Sequence, residues 1–386
     1  MEQPPLRELR DVAWFERTMK AGVGALHLDE NQLIAGDWDG QINCWNLDGQ
    51  GVWSAQTSNR VSGFARGGEY VYAICGRDLV CLNSIDGAII WSAELEGSSD
   101  LVACTPDGSI VIATSSVFDI EVNDFLESTI WRFDETGQLI RSDEINERPW
   151  SIEMREDGVA HLALGRPRCG MIRATDDGLH WFPLPSDAPA TCGLAGRSNT
   201  VIGHADGSLT CIENDMVLDD GPFPKQPGSI ESLGSTPNGL IVATAIESGA
   251  VGAGFGGAEG LARAYDLDGH LRWQIETPLG RNVEHVIDGP DLGGTPSVWI
   301  LSWDGVNAIV DVLTETDGSP EVRFQEECRA NICIANSTNL AIGFDDGTLY
   351  LVQGELLARR LESSTDESLT DDHRREMAAK LRALRG

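Results

Sequence analysis

Lysine is the scarcest charged residue in this chain, which holds only three of them, Lys20, Lys225 and Lys380. Basic residues number 28 against 61 acidic ones, a formal charge of -33. So negative a surface repels phosphates and excludes nucleic acid as a general partner. Long apolar runs are missing as well: none approaches the roughly 18 residues that a membrane helix needs. Charges also interrupt MEQPPLRELRDVAWFERTMKAG, where an export signal would need an unbroken apolar stretch. A soluble, cytoplasmic protein is expected.

The motifs of common chemistries are equally scarce. The chain has no GxSxG and no HExxH, and none of its seven histidines stands in a ligand-like pair. His27 and His161 fall in apolar runs, where a hydrogen-bonded structural histidine is the ordinary case; His204 falls in a turn and is the one histidine worth testing. Asp37, Asp39, Asp206, Asp304, Asp345 and Asp346 take similar places along the chain, yet no DxDxDG calcium loop is spelled out, and Asp in a turn is first a turn former. Nine cysteines make an odd set with no common spacing, and no two adjoin. Neither Cys75/Cys81 nor Cys328/Cys333 has the gap or histidine partners of a zinc motif, so buried free thiols are expected. Gly252, Gly254 and Gly257 match the letters of a dinucleotide fingerprint, but GLARAYDLDG follows them as a strand, where the fingerprint needs a helix N-terminus to hold the pyrophosphate. No cofactor and no metal are expected.

What the chain does have is a repeated grammar. In QLIAGDWDGQINCWNLDGQGVW (32–53) an alternating apolar run meets Asp39-Gly40, a second meets Asp48-Gly49, and a third begins at Val52-Trp53. Period-two runs joined by Asp-Gly are antiparallel strands with tight turns, because Gly accepts the positive φ those turns require. Similar units begin near residues 24, 61, 100, 149, 190, 229, 283 and 330, and their outer strands carry Trp53, Trp91, Trp181 or Trp273, with Arg141 and Arg323 in the same place in two others. A unit of about forty residues suits a four-stranded sheet that buries its faces against its neighbours. The expected fold is therefore all-β: an eight-bladed β-propeller of four-stranded antiparallel blades, seven-bladed if the degenerate fifth repeat at Asn214-Asp215 is not a full blade.

Trp14 aligns with Trp53, so residues 1–22 read as an N-terminal segment bringing an outer strand that closes the ring, with the propeller over 23–362. Gln353-Gly354 reads as the last of the turns that precede an outer strand. Residues 363–386 read as a linker and a C-terminal amphipathic helix, with a capping box at Ser364 and Glu367, an apolar face of Leu369, Met377, Leu381 and Leu384, and a basic end.

CLNSIDGAIIWSAEL and AYDLDGHLRWQIETP resemble the pyrroloquinoline-quinone-type propeller repeat, in which Asp, a Gly turn and Trp follow in this order. The resemblance covers most of 24–360 and speaks for fold. WD-repeat proteins are the near alternative; their Trp-Asp pair ends the third strand, whereas Trp38-Asp39 and Trp303-Asp304 follow the second. The Asp- and Glu-rich, Lys-poor composition is similar to that of proteins from salt-adapted microbes, halophilic archaea in particular.

Two blades are long after their second strand, the third with TSSVFDIEVNDFLEST and the sixth with AIESGAVGAGFGGAEG, which contains Phe255. Both insertions leave the same face of the ring, three blades apart. That face also carries Asp37, Trp38, Arg77, Arg166, Arg168, His204, Trp303 and Asp304, and aromatics and arginines on loops suit a protein-contact surface. The expected function is a non-enzymatic scaffold that binds a protein partner there. A quinone-dependent dehydrogenase or a small-ligand-binding propeller is the alternative. Quinone enzymes of this repeat type are exported and often bridge adjacent cysteines, and the related outer-membrane assembly lipoprotein needs an N-terminal lipid-anchored Cys.

Overall fold

The computed structural model describes residues 6–121, 124–195, 199–213, 216–219, 221–247, 258–278 and 281–362. Phe255, most of the sixth-blade insertion and the segment 363–386 lie outside them. Eight antiparallel sheets succeed one another, each running outward from an innermost strand. The innermost strands are Val23–Leu28, Val61–Gly67, Ser98–Cys104, Pro149–Met154, Ala190–Ala195, Ser229–Thr236, Asn282–Asp288 and Ala330–Ala335, within two residues of the repeat starts expected from sequence. The fifth repeat is a full blade with a short outer strand, Met216–Val217, so the ring has eight blades.

Burial follows position in the blade. Second strands such as Ala160–Leu164 and Asn339–Phe344 are buried at every residue, because both of their faces meet neighbouring blades. The outer strand Ile89–Glu94 has no buried residue and alternates toward solvent. One core cluster joins Ala25, Ile34 and Ile42 of blade one to Val61, Val71 and Ala73 of blade two, and another joins Ile241 and Ala262 of blade six to Val283 and Val298 of blade seven. Each fully buried Val, Leu or Ile contributes about 1.5–3 kcal/mol. Much of that burial is created only when a second blade arrives, so stability belongs to the ring.

Three of the four repeat tryptophans are latches between blades, whereas the indole N–H of Trp181 has no hydrogen-bond acceptor among the described residues. Trp53 donates its indole N–H to the Ser84 carbonyl in the next blade's last turn at 3.0 Å, Trp91 to Glu135 at 2.9 Å, and Trp273 to Glu315 at 2.9 Å. In each case the turn glycine, Gly87, Gly137 or Gly318, lies against the ring with a positive φ, where a Cβ would collide with it. Arg141 does the same for blade four through the Asp177 carbonyl.

The chain begins in the last two blades. Phe15–Thr18 is the outer strand of blade eight, antiparallel to Thr348–Gln353, and Trp14 donates to the Leu47 carbonyl of blade one at 2.7 Å as the other latches do. Leu6–Arg7 adds a fifth, parallel strand to blade seven beside Pro320–Glu326, a pairing the sequence does not announce. Because Phe15–Thr18 occupies the last edge, the chain after Gln353 has no strand to pair with. The expected turn at Gln353-Gly354 is accordingly a helix, 354–362, with Leu357 buried and Arg360 donating to the carbonyls of Asp11 and Ala13.

All nine cysteines are free thiols. Burial pushes Cys44, Cys75 and Cys81 up to about 12, which leaves them inert as nucleophiles. Among the described residues no helix is long and apolar enough to cross a membrane.

Candidate functional site

Antiparallel blades place the start of each innermost strand, the turn between second and third strands, and the end of each outer strand on one face. The blade-three insertion is an extension of the sheet itself: Ile110–Asp119 and Asp124–Asp134 stay paired out to Asp119 and Asp124. Its end carries exposed apolar side chains among acidic ones, with Phe118 at 46%, Leu126 at 50% and Ile120 at 86% of full exposure, and Phe118 and Phe125 meet edge to face at 5.1 Å. Arg148 lies between the Phe125 and Trp150 rings, at 3.8 and 4.5 Å, and is held by Asp100 at 3.1 Å. This is an aromatic and arginine surface of the composition that carries binding energy in protein interfaces.

The expected site residues divide. Trp38 lies across Gly22 and Gly24, which leave room for its ring, and Arg60 stacks on it at 4.7 Å. Trp303 has the equivalent position but extends its strand by pairing with Asn282, and it packs half-buried against the core between blades seven and eight. Asp37 is fully buried and accepts the amides of Asp39 and Gln41; Asp304 accepts those of Val306 and Asn307, which hold its carboxyl below the ordinary range. Both are turn formers. Arg77 is exposed and pairs with Glu94 at 3.3 Å, Arg166 is exposed, and Arg168 stacks over the outer-strand Trp181 at 3.6 Å. His204 is buried, with Nδ1 3.1 Å from the Ala188 carbonyl and Nε2 2.9 Å from Thr210 Oγ1; burial lowers its pKa, and neither nitrogen is open to a substrate.

The residues that sequence reading passed over are those around the channel mouth. Every innermost strand carries a β-bulge at the same place, and the eight bulged residues are Gly24, Ser62, Asp100, Trp150, Thr191, Glu231, Glu284 and Asn331. A bulge turns its side chain out of the pleat, so these residues form a ring. Within it lies a cavity of about 610 Å³ lined by Trp38, Arg60, Glu231, Asn282, Glu284 and Arg329, among others. The signal was present in sequence: Arg60-Val61-Ser62, Arg148-Pro149-Trp150 and Arg329-Ala330-Asn331 put an arginine two residues before the bulge in three repeats. Recognising it requires knowing where the bulge falls.

No protein-family model matches the chain, and no curated protein matches it in sequence. Solved structures do match in fold. The computationally designed Ika8 protein aligns at TM-score 0.67 and 15% identity over 91% of this chain and 100% of its own. Sqt1 from Saccharomyces cerevisiae aligns at 0.66 and 10% identity over 88% of this chain and 97% of its own, and BamB from Moraxella catarrhalis at 0.63 and 13% over 88% and 96%. The likeness spans nearly the whole length of these proteins, and at such identities it establishes the β-propeller fold without separating the quinone-type repeat from the WD type.

Proposed function

We propose that this chain is a non-enzymatic, cytoplasmic scaffold that binds a protein partner on the face bearing the blade-three hairpin and the channel mouth. The observation that carries this reading is the apolar end of that hairpin. On a molecule of formal charge -33, Phe118 and Leu126 lie exposed on a paired extension of the sheet, with Ile120 exposed just beyond its last pair, beside the Arg148–Trp150 stack. Exposed apolar side chains of this kind contribute to binding when a partner covers them. The acidic surface disfavours nucleic acid, and His204, the one histidine in a second turn, has both ring nitrogens engaged within the fold.

Affinity capture from the native cells at their own salt concentration, with the wild-type chain and with the Ile120→Asp/Leu126→Asp variant, tests the reading. Partners held by the wild type are expected to be lost from the variant, whose exposed substitutions leave its melting temperature unchanged. An identical set of captured proteins would remove the hairpin from the function, and Trp38→Ala in the same assay reports on the channel mouth separately.

A further inference from the structure

The ring of bulges has an internal pairing rule. The residue two places before each bulge lies beside the bulged residue of the preceding blade, and where both are charged they pair. Arg148 of blade four holds Asp100 of blade three, and Arg329 of blade eight holds Glu284 of blade seven through two contacts, at 2.6 and 3.1 Å. Two other places carry only half of such a pair. Arg60 of blade two has the position of Arg148 and Arg329, but the preceding bulge is Gly24, with no carboxylate; Trp38 covers that glycine, and the guanidinium lies exposed on the indole. Glu231 of blade six has the position of Asp100 and Glu284, but the residue facing it from blade seven is the neutral Asn282. Among the described residues neither Arg60 nor Glu231 has an ion-pair partner, and the buried Asn282 Oδ1 has no hydrogen-bond donor. Both half-pairs line the same cavity, about 610 Å³ in volume.

We propose that this cavity receives a polypeptide segment of the partner that carries one acidic and one basic side chain. The acidic group completes the pair with Arg60 over Trp38, and the basic group completes the pair with Glu231 beside Asn282. Charge complementarity selects this occupant: a ligand with one sign of charge answers one half-pair and is repelled by the other. The inference rests on the loop-bearing face being the binding face and adds the chemistry of what enters its centre.

A display library of random peptides, selected on the full chain at an ionic strength of about 0.15 M so that only contact pairs persist, tests it. The wild type is expected to enrich peptides holding both an acidic and a basic residue. Arg60→Ser should lose the preference for the acidic residue alone, and Glu231→Gln the preference for the basic one alone. A synthetic peptide from the selection should bind each variant about tenfold more weakly than the wild type, or ~1.4 kcal/mol. Arg60→Glu should regain binding when the acidic residue of that peptide is replaced by lysine, a recovery that a merely structural role for Arg60 does not give. Enrichment unchanged in both variants overturns the inference. If the enriched peptides are apolar, indifferent to Arg60 and Glu231, and lost with Ile120→Asp, the channel-mouth chemistry is wrong while the binding face stands. If nothing is enriched over the starting library, both are wrong.

Discussion

At the scale of single residues, side chains of one type divide by what lies beside them. Trp53, Trp91 and Trp273 each meet a glycine turn of the next blade and become latches, whereas Trp38 meets Gly22 and Gly24 of its own blade and presents a face to the channel mouth. Glu153 shows a similar dependence. It lies on the innermost strand of blade four beside Ser151 and Gly193, and burial pushes its carboxyl up to about 7 from an ordinary 4.5. Between those pH values the folded state binds more protons than the unfolded chain. Glu153 therefore costs stability above about pH 7, and the cost disappears below about pH 4.5. Glu153→Gln is expected to raise stability by about 1 kcal/mol near pH 8 and to change nothing near pH 4, read as the difference in urea midpoint from wild type. His204, which is buried, and His27 and His285, which are partly buried, have lowered pKa values and act in the opposite sense, losing stability as pH falls below about 6.5. The difference between variant and wild type, which cancels them, is thus the diagnostic quantity. A gain of equal size at both pH values would assign it to packing.

At the scale of elements, the N-terminal residues do more than complete one sheet. Leu6–Arg7 extends blade seven, Leu9 and Val12 are buried against blades seven and eight, Phe15–Thr18 completes blade eight, and Trp14 reaches blade one. Three blades are fastened by one segment at the place where the ring would otherwise open. Removal of residues 1–18 is expected to cost roughly 5 kcal/mol or more, from lost apolar burial and an exposed sheet edge. Trp14→Ala should cost only about 1 kcal/mol, since the indole is partly exposed and contributes chiefly its hydrogen bond. Urea denaturation of the two chains measures both, and a truncated chain with the wild-type midpoint would show that the closure is dispensable. The helix 354–362 follows from the same closure: with the last edge filled, its buried Leu357 and its Arg360 contacts give the chain a place to end.

At the scale of the whole molecule, the formal charge of -33 is spread over the whole ring. Self-repulsion opposes the compact state, and added salt screens it over about 10 Å at 0.1 M and about 3 Å at 1 M. The melting temperature is expected to rise by at least ~5 °C between dilute buffer and molar salt, and a flat or falling trend in calorimetry would separate this protein from the salt-adapted proteins its composition resembles.

The amino-acid sequence by itself determined most of the strands and their turns, because period-two burial and positive-φ glycines are local properties that each repeat states again; that the degenerate fifth repeat is a full blade, so that the ring has eight and not seven, was decided by the structure. The sequence also placed Trp14 as an outer strand, since alignment to Trp53 needs only the repeat. Only the tertiary structure decided which loop residues act together. Whether Trp303 points to solvent or core depends on the neighbouring blade, whether His204 is open depends on Ala188 and Thr210, and the pairing of Arg148 and Arg329 with the bulged residues of the preceding blades exists only once the ring has brought successive blades side by side.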